Sequence, residues 1–385
     1  MSTRTEYLQP DDKISRPLRP ALRAMALCCT LALTLMPAGA VYSATAADNQ
    51  QQPIAAVQTA AIDVVALEQQ IRNLMQRELF NPALLASAVS QAHLQKQQQL
   101  AAETPDVAVF IEQFNQLWRD GPWSHMQLAP RRIPAAQMAA FVDNMTVGPD
   151  AVQLRWDGTV PVLSVNTMMG KDTMQAIAAA FTQLQQAGAQ QLIIDLRRNK
   201  GGAFAVKPLV QHLLQQPMEA GVFLSRQWYL QQESRLPNPA EIAATPVWQH
   251  TELQSFWPAL STQPLVRIRF TPELPTFTGQ VWLLTSHKTA SAAEMAVAAL
   301  QQAGRVTVIG EQTAGEMLSQ RMFDLPGDLQ LSLPIAGYIT SQEQPIEGVG
   351  LKPDIQLPAH QARQHALSLA QRAIPPANRQ TTSGR

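Results

Sequence analysis

The stretch from Val281 to Gln302 constrains the fold most. Five strand-like residues, Val281-Trp282-Leu283-Leu284-Thr285, run into a turn of small and polar residues, and a helix-forming run from Ala292 to Gln302 stops at Gly304. A short apolar run closed by such a turn and followed at once by a helix is the repeating unit of an α/β core. Ser291 stands where the strand gives way to the helix, so the turn holds its hydroxyl out. The first free N–H groups of the helix and the positive end of its dipole point at the same spot, where an oxyanion would be stabilised. That layout suits a nucleophilic serine. It suits equally a serine that only caps the helix, the commoner role, and the stretch alone leaves both open.

Similar units begin at about residue 150. Val152 to Trp156 and Val160 to Val165, joined at Asp157-Gly158, predict a hairpin. Met174, Ile177, Phe181 and Leu184 mark a helix, and Leu192 to Leu196 a short buried strand. The polar turn Arg197-Arg198-Asn199-Lys200-Gly201-Gly202 then leads into a helix reaching about Gln215. Arg305 to Ile309 reads as another strand, and Leu329, Leu331 and Leu333 alternate as a third. Residues 217–278 carry many prolines and tryptophans with little period, and read as an insertion lining or covering a cleft.

Upstream, Val64, Leu67, Ile71, Leu74 and Met75 repeat at helical spacing after Asp63. Asn81-Pro82 opens a second helix, and Phe110, Phe114 and Leu117 share one face of a third. They predict a small N-terminal helical bundle over 62–119 with no chemistry of its own, ahead of a core over 120–358. From Ala359 the chain reads as a helix followed by a disordered polar tail to residue 385.

Basic residues 29 against acidic residues 29 give no sign of a nucleic-acid groove or a polybasic membrane contact. Arg16, Arg19 and Arg23 precede the apolar segment Ala24 to Leu35, and small residues follow at Ala38-Gly39-Ala40 and Ala44-Thr45-Ala46. That pattern predicts a secretory signal over 1–46, with a disordered Gln/Ala-rich linker over 47–61. The apolar run is short for a membrane span, although a retained N-terminal anchor is the alternative. Cleavage would remove Cys28 and Cys29, the only two cysteines, and leave neither a disulfide nor a thiol nucleophile. The expected location is periplasmic or secreted.

A serine nucleophile needs a base, and the base needs an orienting partner. No G-x-S-x-G elbow, H-E-x-x-H, phosphate loop or dinucleotide glycine pattern is present, so no metal or cofactor is implied and a hydrolytic site must come from dispersed residues. Of seven histidines, His287 lies four residues before Ser291, and His125 follows the Gly121-Pro122 turn. Either could be the base on these grounds.

Four motifs carry a family resemblance. Thr289-Ala290-Ser291-Ala292-Ala293-Glu294 and Gly310-Glu311-Gln312-Thr313-Ala314-Gly315 resemble the nucleophile segment and following run of the C-terminal processing (tail-specific) serine peptidases. Asp195 to Gly202 is similar to their D-x-R-x-N-x-G-G turn, and Glu347 to Asp354 to their E-G-x-G-x-x-P-D close. The Asp120 to His125 turn resembles their D-G-H segment more loosely.

The resemblance implies a core of mixed sheets and helices like that of the crotonase and Clp peptidase group. It implies Ser291 as nucleophile, the Ala292 N–H as one oxyanion donor, and Gly201 or Gly202 as the other. Where the processing peptidases carry a general-base lysine, directly after the G-E-x-T-x-G run, this chain has Glu316. The pattern therefore resembles the tricorn-type and retinoid-binding-protein branch, which implies His125 as base and Glu347 as its orienter, with Glu311 as the alternative orienter. Roughly 25 residues separate His125 from Val152, too few for a PDZ domain. The expectation is a serine endopeptidase acting on extended or unfolded polypeptide, perhaps near C-termini, without nucleic-acid partners and without a membrane span once the signal is cleaved. A non-catalytic lipid- or peptide-binding protein, or an envelope scaffold on the same fold, is the alternative.

Overall fold

A computed structural model describes residues 62–373. The signal-like segment, the linker, both cysteines and the polar tail lie outside them.

Helices α1 (Val64–Glu78), α2 (Pro82–Leu85), α3 (Ala88–Glu103) and α4 (Val107–Arg119) open the described chain. Each starts on a side-chain cap, from Asp63, Asn81, Ser87 and Asp106 respectively, that accepts a free N–H of the first turn. Phe110, Phe114 and Trp118 recur along one face of α4 and are all buried. Buried polar groups satisfy one another: the Trp118 indole donates to Gln97 at 2.8 Å, and Gln97 donates to Glu68 at 2.9 Å. The bundle is not a separate unit. The Phe80 N–H donates to the Pro334 carbonyl, and the Arg226 guanidinium caps the C-terminal end of α1 through the Gln76 and Leu79 carbonyls.

The core then runs β1 (Gln127–Pro130), α5 (Ala135–Asn144), the hairpin β2 (Val152–Asp157) and β3 (Val160–Val165), α6 (Lys171–Gln186), β4 (Gln191–Asp195) and α7 (Val206–Gln211). It continues through β5 (Met218–Ser225), α8 (Arg226–Gln232), α9 (Pro239–Ala244), α10 (Leu253–Thr262) and β6 (Leu265–Phe270). The last stretch is β7 (Gln280–Thr285), α11 (Ala292–Gln302), β8 (Thr307–Gly310), β9 (Ser319–Leu325), β10 (Leu329–Thr340), β11 (Ile355–Gln356) and α12 (Ala359–Ala373).

Two sheets result. One has the order β11-β8-β7-β4-β3-β2, parallel except at the β2–β3 hairpin; the other is antiparallel and is organised on β10, which pairs with β1, β5 and β9. The short apolar runs seen in sequence are the strands β4 and β7, buried on both faces. Ala293, Ala296, Val297 and Leu300 leave α11 no exposed apolar stripe, and it packs against α7, β5 and β8. Its small side chains allow this close approach. On the other side of the parallel sheet, Ala362, Ala366 and Ala370 of α12 cover Val162, Ile193 and Trp282.

The mixed α/β fold agrees with the expectation; residues 217–278 are an insertion only in part, and Thr251, Glu252, Gln254 and Ser255 of that segment line a cavity. That segment supplies β5 and β6, two paired strands of the antiparallel sheet, and only its α8–α10 portion lies outside the sheets. Val222, Phe223 and Leu224 are consecutive buried residues, so β5 shows no alternation. Among the described residues no helix is long and apolar enough to cross a membrane.

Candidate active site

The turns after β4 and β7 lie side by side because their strands are neighbours, and buried hydroxyls lace them together. Thr289 donates its hydroxyl to the Leu196 carbonyl at 2.9 Å and accepts the Ser286 N–H at 3.0 Å, while Ser286 donates to the Arg197 carbonyl at 2.6 Å. Asn199, fully buried, donates to the Val165 carbonyl at 3.0 Å and accepts the Gly201 N–H at 2.8 Å. These bonds press the glycine pair against the candidate nucleophile. A Cβ on Gly201 would lie 2.6 Å from the Ser291 Cβ and 2.9 Å from the Ala292 nitrogen, at a φ of +87°, so only glycine fits.

Ser291 has φ 56° and ψ −125°, a conformation that L residues rarely hold without support. Support comes from Glu294, one turn into α11 and completely buried. Its Oε2 accepts the Ser291 N–H at 3.0 Å and the Glu316 N–H at 2.9 Å; its Oε1 accepts the Thr313 hydroxyl at 2.5 Å and the Gly315 N–H at 2.8 Å. Burial raises the Glu294 pKa, and these four donors oppose the shift. Among the described residues, the Ala292 and Gly202 N–H groups carry no hydrogen bond. Gly201 cannot be the second oxyanion donor, because Asn199 already takes its N–H. The glycine pair thus divides the work: Gly201 permits close approach to Ser291, and the exposed Gly202 offers the free amide.

His125 lies in the loop between α4 and β1. Trp123 packs on Trp118 with ring centroids 5.1 Å apart, and β1 pairs Gln127 with Ser332 of β10, so both ends of the loop are fixed. The His125 backbone sits at φ 67°. Its Nδ1 is 2.5 Å from the Ser124 hydroxyl oxygen, which donates to Glu347 Oε2 at 3.1 Å. Glu347 also accepts the Ser124 N–H at 2.8 Å and the Met317 N–H at 2.7 Å. The carboxylate therefore reaches the imidazole through Ser124, not directly as the sequence suggested. Once Glu347 is ionised it only accepts, so the Ser124 proton then points to Glu347 and His125 donates from Nδ1. That tautomer leaves Nε2 as the free acceptor. Burial pushes the His125 pKa down to about 4 and that of Glu347 up to about 7.

Consecutive amides connect the two halves of the site. The Glu316 N–H goes to Glu294, which holds Ser291, and the next N–H, from Met317, goes to Glu347, which holds Ser124 and His125. Among the described residues no hydrogen bond joins the Ser291 hydroxyl to the His125 ring. Catalytic hydrogen bonds of this kind are often loose without substrate.

The other candidates lie elsewhere. Glu311 accepts from the exposed His287 ring at 2.8 Å and from the Ala359 N–H at 3.0 Å, so it fixes the start of α12 and is not the partner of His125. Lys288 is exposed. Arg197 forks onto Asp195 at 2.8 and 2.6 Å and donates to the Ala359 carbonyl, which makes this part of the turn a bracket between β4 and α12. No cluster of three or more histidine, cysteine or acidic side chains suited to a metal occurs among the described residues.

A serine on a strained strand-to-helix turn, a histidine tied through a hydroxyl to a half-buried carboxylate, and two open amides are parts of the arrangement that serine hydrolases use. Comparison with known proteins narrows this: the model of peptidase family S41 matches residues 159–357, and the chain belongs to that family. The carboxyl-terminal-processing protease of Synechocystis sp. is 30% identical over 217 residues, which cover 54% of this chain and 41% of the relative. The chloroplastic C-terminal processing peptidase of Tetradesmus obliquus is 26% identical over 186 residues, 48% of this chain and 32% of the relative. The chain spans less than half the length of these curated relatives. Its fold is similar to that of a lipoprotein from Streptococcus agalactiae, with a TM-score of 0.51, 16% identity, and coverage of 81% of this chain and 98% of the other.

Proposed function

We propose that this protein is a periplasmic or secreted serine endopeptidase that cleaves extended or unfolded polypeptides, near their C-termini, by a Ser-His-Glu mechanism without a catalytic lysine. The observation that carries the reading is the hydrogen-bonded line from Glu347 through Ser124 to His125, joined by adjacent amides to the Glu294 cradle of Ser291. In this mechanism His125 Nε2 takes the proton as the Ser291 oxygen attacks the peptide carbonyl, and Ser124 and Glu347 steady the imidazolium. The Ala292 and Gly202 amides hold the oxyanion. His125 then gives its proton to the leaving amine, and water, activated by the same ring, releases the acyl group from Ser291. The names of the carboxyl-terminal-processing relatives support the preference for chain ends.

Casein digestion tests this. The wild-type chain should degrade casein, and Ser291→Ala should lose that activity by about 10³-fold or more with its thermal unfolding preserved. Equal turnover by both would overturn the mechanism; no turnover by the wild type, with lipid or peptide still bound, would favour a carrier on the same fold.

A further inference from the structure

We propose that Asn115 of α4 is a positioning residue for the base: through it the N-terminal bundle fixes the loop that carries His125. The inference deepens the peptidase reading of this site and rests on it. Asparagine is a weak helix former, and inside a helix its side chain tends to bond nearby backbone. In α4 the amide instead reaches a residue 13 positions on: Nδ2 donates to the Leu128 carbonyl and Oδ1 accepts the Leu128 N–H, both at 2.8 Å. β1 ends its sheet, with β10 on one side only. In an antiparallel pair alternate residues turn their N–H and C=O away from the partner strand, and those of Leu128 turn to Asn115. Leu128 is completely buried, so without this amide both of its backbone groups would be orphaned. The Asn115 side chain stands in for the strand that β1 lacks on that edge.

Trp118, three residues along α4 and so on the same face, grips the other end of the loop: its ring meets that of Trp123 at a centroid distance of 5.1 Å. Ser124 and His125 lie between these two contacts, so one helix face sets both ends of the segment that carries the base. From the sheet, the Ser332 hydroxyl donates to the His125 carbonyl at 3.0 Å. His125 holds φ 67°, a left-handed conformation that persists only where the surroundings impose it. Unfastening Leu128 removes one of those constraints. The loop then relaxes, and the imidazole leaves the line that runs through Ser124 to Glu347. Asn115 bonds only the backbone of Leu128, and it acts on the reaction through the placement of His125.

Fluorophosphonate labelling of Ser291 in the full chain, followed by mass spectrometry, tests the assignment. Both the rate and the final labelled fraction are measured in the wild type, in Asn115→Ala, and in Leu67→Ala, which weakens the same bundle by opening a cavity beside α1. A displacement of ~1 Å in such a site costs ~10²-fold. Asn115→Ala should therefore label at least about 10-fold more slowly while reaching the same final fraction, and its kcat on a peptide from casein should fall with KM unchanged. Leu67→Ala, assayed below its melting temperature, should label at the wild-type rate. Labelling of Asn115→Ala at the wild-type rate, a loss confined to its final fraction, or an equal slowing in Leu67→Ala would overturn the positioning role and leave the peptidase reading intact. A wild type that leaves casein uncut and Ser291 unlabelled would overturn both. Should Asn115→Ala not fold, Asn115→Asp decides by the same readings: it keeps the acceptor for the Leu128 N–H, sets an oxygen against the Leu128 carbonyl, and should also slow labelling several-fold.

Discussion

Replacing Glu294 by glutamine removes one oxygen and one charge while keeping the shape. The carboxylate receives four donors, two on each oxygen, and three of them are backbone N–H groups that cannot turn away. An amide has a single acceptor oxygen. If that oxygen faces Ser291 and Glu316, the new NH₂ group confronts the Gly315 N–H; if it faces Gly315, both the Ser291 and the Glu316 N–H groups are orphaned. One buried orphan costs ~1–3 kcal/mol, and the hydrogen bonds that survive lose the strengthening from the charge, so a total of ~2–4 kcal/mol is expected. At ~2–4 °C per kcal/mol for a chain of this general size, calorimetry should find the Tm about 4–16 °C lower. Because the Ser291 amide loses its anchor, kcat on a peptide substrate should fall about 10²-fold with KM nearly unchanged. A Glu294→Gln protein that melts within about 1 °C of the wild type and turns over normally would refute the reasoning. It would show that the buried carboxyl serves as a neutral group for which an amide is an equal substitute.

The pH dependence follows from the two shifted groups. His125, pushed to about 4, is unprotonated across the neutral range, whereas Glu347, raised to about 7, is protonated below that and ionised above it. Only ionised Glu347 stabilises the imidazolium, so kcat/KM should rise with pH through a midpoint near 7, and Glu347→Gln should abolish that limb along with most of the activity; a limb that persists in the variant would reassign it. At Gly201, alanine would place its Cβ 2.6 Å from that of Ser291 at positive φ. A left-handed conformation costs ~1–2 kcal/mol and overpacking ~1–3 kcal/mol. Gly201→Ala should therefore slow fluorophosphonate labelling at least 10-fold, and labelling at the wild-type rate would show that the two turns are less closely packed.

The nucleophile turn was legible because a strand, a small-residue turn and a helix are adjacent in the chain, so local pattern alone places Ser291. His125 and Glu347 lie far from it in sequence and came from the family resemblance, since no periodicity reports which loops meet. Ser124 is not legible as a site residue although it stands beside His125: a serine in a Gly-Pro turn looks like turn chemistry, and it bridges His125 and Glu347 only once Glu347 arrives from more than 200 residues away. The choice between Gly201 and Gly202 was equally closed to sequence, because it depends on which amide the Asn199 side chain captures. β5 is not legible because a strand buried on both faces has no alternation, and the prolines and tryptophans of residues 217–278 lie in the helices and loops around it, not in the strand itself.

The most direct measurement is peptide mapping after treatment with a fluorophosphonate at pH 8, on the wild type and on His125→Ala. One adduct on Ser291 in the wild type, lost or slowed at least 10²-fold in His125→Ala, is the expected result. An unlabelled Ser291, or equal labelling without the imidazole, would contradict a site in which these two side chains act together.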